Sequence, residues 1–61
     1  MKKLEIKTGN AAYSDNGKLT LQGRLNLAAN LKVIANMIKN GESDGTIMDI
    51  NGNKTGKWEV N

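Results

Sequence analysis

Residues 19–41, "LTLQGRLNLAANLKVIANMIKNG", change their hydrophobic period part-way, and where that change falls decides the fold. Leu19, Leu21, Leu25 and Leu27 sit at odd positions, as the buried side of a strand would. From Leu27 onward the spacing is helical. On a 3.6-residue wheel Leu27, Ala28, Leu31, Ile34, Ala35 and Ile38 share one face, and Gly41 after Asn40 supplies a C-terminal stop. The spacing predicts a helix ending near Lys39. Its start lies between Leu21 and Asn26, and we place it near Leu21. Thr20 offers a cap, but Gly23 stands where a capping box would carry an acid and is itself a poor helix former.

Upstream, "KLEIKT" alternates strictly: Leu4 and Ile6 on one side, Lys3, Glu5 and Lys7 on the other. That is the pattern of a half-buried strand. The segment from Gly9 to Lys18 carries the turn cluster Asp15, Asn16, Gly17 and reads as a connecting loop or a short hairpin arm. Downstream, "TIMDI" and "KTGKWEV" flank Asn51-Gly52, the strongest short-range hairpin signal in the chain, read as a type I′ turn. A two-residue loop sets Asp49 across from Lys54, and Ile47 across from Gly56 on the Trp58 face. A bulge at Gly52 turns Met48 and Ile50 to that face instead. Gly56 beside Trp58 leaves room for the ring or for a helix backbone. The expected fold is α+β: β-α-β-β, a three-stranded sheet with one helix packed on one face, in one domain spanning residues 1–61. A right-handed crossover makes the first strand parallel to a hairpin strand if the two are neighbours.

Composition restricts function more than it reveals it. Sixty-one residues bury only about 60% of their unfolded surface. Domains this small usually add disulfides, a metal or a partner subunit, and a chain without Cys or His lacks the usual means for the first two. Self-association, most simply as a homodimer, is therefore expected. The two N-terminal lysines are not followed by the apolar run of a signal peptide, nor is any segment apolar enough to span a bilayer. A cytoplasmic protein with no membrane contact is the expectation, and the lack of thiols fits a reducing compartment.

Catalysis has little raw material. A Ser or Thr nucleophile needs Lys or a carboxylate as base, and Asp49 and Glu59 fall on opposite sides of the strand pairing. No enzyme activity and no cofactor are expected. "DINGN" opens like a calcium loop, but its sixth and twelfth positions hold Lys54 and Val60 where Gly and Glu belong, so it reads as a bend. Gly9-Asn10 reads as plain loop rather than an anion nest.

The formal charge of +3 is spread over eight lysines and Arg24, with Tyr13 and Trp58 the only aromatic residues. Nucleic-acid binding is thus the weaker alternative, through Lys3, Lys7, Lys54 and Lys57 on the open sheet face, a patch that Lys54 and Lys57 spoil by their opposite parity. The helix carries a clearer hint. Beside its solvated side at Lys32, Asn36 and Lys39 runs an uncharged stripe, Asn26, Asn30, Val33, Met37 and Asn40, where an exposed helix would favour Glu and Lys. The stripe reads as a covered surface. Trp58 and Tyr13 join it as binding residues if exposed, since Trp and Tyr dominate binding hot spots.

Taken together, "IKTGNAAY", "NLKVIANMIKNG" and "GTIMDINGNKTGKWEV" resemble a family of very small proteins of bacteriophage, prophage and related bacterial genomes. That family shows K-T-G-N-A-A-F/Y after a strand, a helix ending in Gly, and a hairpin with D-x-N-G-N-x-x-G-x-W. The resemblance implies the same β-α-β-β fold and a mobile-element origin, and it implies no particular activity. The chain departs from the pattern in the helix, where Ala29 and Asn30 precede Leu31 in place of an Arg, and the acidic residues of the following turns are missing. We expect a non-enzymatic phage-type binding protein that covers a surface of a host or phage protein.

Overall fold

The structure, a computed structural model, describes residues 1–60. Strand β1 (Lys3–Ile6) leads into a small hairpin, β2 (Ser14–Asp15) and β3 (Lys18–Leu19), then helix α1 (Leu21–Lys39), and finally β4 (Asp44–Met48) and β5 (Lys54–Glu59). The expected α+β arrangement is present, with the additional two-stranded arm. In the main sheet the order is β1-β5-β4, both neighbours antiparallel to β5. Strands β1 and β4 are therefore parallel to each other but not adjacent, because β5 lies between them.

Helix α1 starts at Leu21 because Thr20 caps it: the Thr20 hydroxyl accepts the Gly23 amide at 2.9 Å. It stops by a Schellman motif. Gly41 at φ +95° lets the Gly41 amide donate to Ile38 O and the Glu42 amide to Met37 O, satisfying carbonyls the helix leaves open. Gly23 owes its place to packing. A Cβ there would lie 1.7 Å from the Tyr13 carbonyl oxygen, so only glycine lets the first turn of α1 rest on the arm.

The face of α1 turned to the sheet differs from the aliphatic one expected. Ile34 is buried and Leu27 and Ile38 are half-buried, but Ala28, Leu31 and Ala35 are exposed. Gly23, Asn26, Asn30 and Met37 point inward instead. The helix is turned by somewhat less than one residue's rotation of ~100°. The physical reason is the arm, whose buried Tyr13 and Ala12 carbonyl need polar partners that Asn30 and Asn26 provide.

Both Asn-Gly steps bend the chain, and in different ways. Asn16 and Gly17 both have positive φ, 52° and 79°, and close β2–β3 as a two-residue loop, the conformation expected of Asn51-Gly52. Asn51 does not have positive φ. There the Gly52 amide donates to Asp49 O and the Asp49 amide to Asn53 O, a three-residue loop with Gly52 alone at φ +81°. A bulge follows, because Met48 pairs with Lys54 but Ile47 with Gly56, leaving Thr55 extra. The odd loop and the bulge cancel. Ile47 faces Gly56 on the Trp58 side as a simple hairpin would place it, while Met48 and Ile50 stay exposed.

Trp58 lies buried in the centre of β5, paired with Leu4 on one side and Gly45 on the other, and packs with Ile34 and Ile47. Gly45 provides its space: a Cβ there would come within 2.6 Å of Trp58 Nε1. Gly56, expected to do this, is needed for another contact, since its Cβ would meet the Glu5 carbonyl oxygen at 1.9 Å.

Candidate binding surfaces

A polar relay in the interior joins the arm, the helix and the hairpin. Asn30 Nδ2 donates to Tyr13 Oη at 2.8 Å; Tyr13 Oη and Thr55 Oγ1 are 3.3 Å apart, and Thr55 Oγ1 donates to Ile47 O. With Asn30 as donor, the phenol is left to donate to Thr55, so every member is satisfied. Asn26 Nδ2 donates to Ala12 O at 2.8 Å. Two of the stripe's asparagines are thus covered by the chain's own arm.

Asp49 organises the hairpin end. Its Oδ1 accepts the amides of Asn51 and Asn53 at 2.8 and 2.9 Å, and its Oδ2 accepts Asn10 Nδ2 and Asn53 Nδ2 at 2.9 and 3.2 Å. The Asn53 amide above all, with the other donors, holds this carboxyl below its ordinary range against the opposing effect of burial. A carboxylate with four N–H donors has its lone pairs directed at protons, which leaves "DINGN" a bend tied to the Gly9-Asn10 loop. Asn10 is itself a turn cap: its Oδ1 accepts the Ala12 amide, and its carbonyl accepts those of Tyr13 and Ser14.

The candidate contact residues separate accordingly. Tyr13 is 0% exposed and Trp58 1%, so neither side chain meets the condition set for a contact residue. Asn30 is committed to Tyr13. Val33, at 51% exposure, and half-buried Met37 line an open groove between α1 and β4 together with Ile34, Thr46, Met48 and Trp58. Lys54 and Lys57 lie on the opposite sheet face. The bulge at Thr55 reverses the alternation between them, so both line one shallow cleft with Glu5 and Lys7, and the parity objection to this patch falls. Acids interleave it, however: Lys3 pairs across from Glu59, and Glu5 from Lys57.

Sequence reasoning missed the outer flank of α1. Leu21, Leu25 and Leu31 are 77, 56 and 41% exposed there, beside Arg24, Lys32 and Lys39. The signal was present in the leucine excess of "LTLQGRLNL", more than one helix face can bury. Comparison with protein-family models, curated proteins and solved structures yields no match. Among the described residues no helix is long and apolar enough to cross a membrane, and no cluster of three or more His, Cys, Asp or Glu side chains is disposed to hold a metal ion.

Proposed function

We propose that this is a non-catalytic binding protein that acts by covering a surface of another protein, with the outer flank of α1 as its contact. The observation that carries this reading is the imbalance of the aliphatic side chains. Ile34 is the one large aliphatic side chain of α1 that is buried, while Leu21, Leu25, Leu31 and Val33 are exposed. Helices of monomeric proteins seldom leave so much apolar surface without a partner. Arg24, Lys32 and Lys39 border the leucines and no acid lies on the helix, so the fitting partner is an apolar groove with an acidic rim. The absence of His and Cys and the resemblance to phage and prophage proteins support a blocking role in a bacterial cytoplasm.

A photo-crosslinking residue at Leu25 tests this in bacterial lysate, with the same residue at Lys3 as control. The expected result is one protein captured from Leu25 alone, and lost when Leu21→Glu is added without change in the far-UV spectrum. Equal capture from both positions, or capture indifferent to Leu21→Glu, contradicts the reading.

The second reading, a nucleic-acid module, gains one observation: the bulge aligns Lys54 and Lys57 with Lys7. Phosphate binding through these lysines must weaken steeply with added salt, whereas Glu5 and Glu59 among them oppose it. Titration with DNA and RNA at two salt concentrations decides it.

A further inference from the structure

We propose that the free edge of β4 and the uncharged flank of α1 beside it form the interface of a two-fold dimer with a second copy of this chain. The main-chain direction is the first ground. The Val60 amide donates to Ser43 O, and Gly45 and Ile47 share that phase opposite Trp58 and Gly56. By the alternation of an antiparallel ladder, Asp44, Thr46 and Met48 turn their amides and carbonyls outward, where no strand follows in the order β1-β5-β4. Natural edges are guarded by lysine, proline or a bulge on the edge strand itself. The other edge, β1, is flanked by Lys2, Lys3 and Lys7, whereas "DGTIM" has no lysine or proline and its one charge, Asp44, stands at the first position of the strand.

Self-complementarity is the second ground. Antiparallel pairing of two β4 strands about Thr46 sets Thr46 against its own copy, a favourable cross-strand pair, and Asp44 against Met48 of the other chain. About six main-chain hydrogen bonds result, two for each facing pair. No like charges meet across the new ladder. Lys54, which pairs with Met48, lies one strand beyond and brings a cation toward the Asp44 and Glu59 carboxylates that face each other in the single chain.

Charge on the helix is the third ground, and it decides which flank of α1 two copies can bring together. All charges of α1 are positive; Val33 and Met37 line the groove with β4, and Arg24, Lys32 and Lys39 lie on the other, exposed sides of the helical wheel. Two copies repel through those sides. On the β4 side the first half is closed by the arm through Asn26, while Val33, Met37 and Asn40 carry no charge. A two-fold axis through the β4 edge keeps both helices on one face of a continuous six-stranded sheet, antiparallel, with these flanks turned toward each other.

A dimer of this kind forms with or without the protein partner proposed above, so failure of one leaves the other standing. The test is light scattering on the purified 61-residue chain across a concentration series, compared with its chain mass of 6.6 kDa. The expected mass is twofold that of the chain. Val33→Lys and, separately, Thr46→Pro are expected to abolish the doubling with the far-UV spectrum unchanged, since proline at 46 removes an outward amide and no bond to β5. Leu21→Lys, on the other flank, is expected to retain it. Amide exchange gives a second readout that does not depend on a variant folding: the Thr46 and Met48 amides are slow in the native protein and speed up on dilution. A native monomer at all concentrations, or a dimer insensitive to Val33→Lys but broken by Leu21→Lys, overturns the proposal.

Discussion

Asp49 shows how a single side chain decides between two turns that look alike in sequence. Asn16-Gly17 and Asn51-Gly52 are the same dipeptide, yet only the first takes positive φ at both residues. At the second, the Asp49 carboxylate draws the Asn51 and Asn53 amides onto one oxygen and so selects the longer loop. The same carboxylate holds Asn10, and through it the loop that leads to buried Tyr13. Its pKa is lowered in the folded state, so folding favours the ionised form. The contribution is therefore complete above the ordinary carboxylate value of 3.8 and is lost as pH falls through the lower folded value. Asp49→Asn is expected to lower the thermal midpoint at neutral pH, with the gap to the native protein closing below about pH 4. Thermal melts of both proteins across an acid series measure this; a gap that stays constant into strong acid contradicts it.

At the scale of elements, the helix illustrates what sequence periodicity conveys and what it omits. The stop of α1 at Gly41 and the presence of the hairpin that follows are legible, because each rests on local hydrogen bonding that neighbouring residues determine, whereas the start of α1 is left open between Leu21 and Asn26 and the type of the hairpin turn is misread. The face of the helix is not legible from the aliphatic wheel alone. Asn26 and Asn30 count as polar on any hydropathy scale, yet they are inside because the arm presents the Ala12 carbonyl and the Tyr13 phenol to them. The uncharged stripe marks that side as covered, but the pairing spans long sequence separations, so the stripe does not say that the arm is what covers it. The lysine face shows the same limit, since the Thr55 bulge that aligns Lys54 with Lys57 is a compensation for an odd-length turn. Gly23 is the sequence position where the arm's contact can be probed. Alanine there is a better helix former by ~1 kcal/mol, but its Cβ collides with the Tyr13 carbonyl. Gly23→Ala is expected to destabilise the protein by about 1–3 kcal/mol in urea unfolding, and a stabilised variant means α1 does not rest on the arm.

The whole molecule is drawn out, 36 × 19 × 16 Å with a radius of gyration of 11.8 Å, against about 10.5 Å for a compact chain of this length. A helix of 19 residues is ~28 Å long and sets the long axis, and a sheet of three short strands cannot cover it. Exposed leucines lie on one flank of the molecule and the open edge of β4 on the other. The edge follows from the strand order, and the leucine flank from one claim, that α1 lies with its Asn30, Ile34 and Met37 side inward rather than its Ala28, Leu31 and Ala35 side. Because the native chain has no cysteine, single cysteines along the helix report this directly through their rates of thiol labelling. Cysteine at Ala28 and Ala35 is expected to react as fast as in an unfolded peptide, and cysteine at Asn30 and Ile34 to be strongly protected. Protection at Ala28 and Ala35 with rapid labelling at Asn30 contradicts the account.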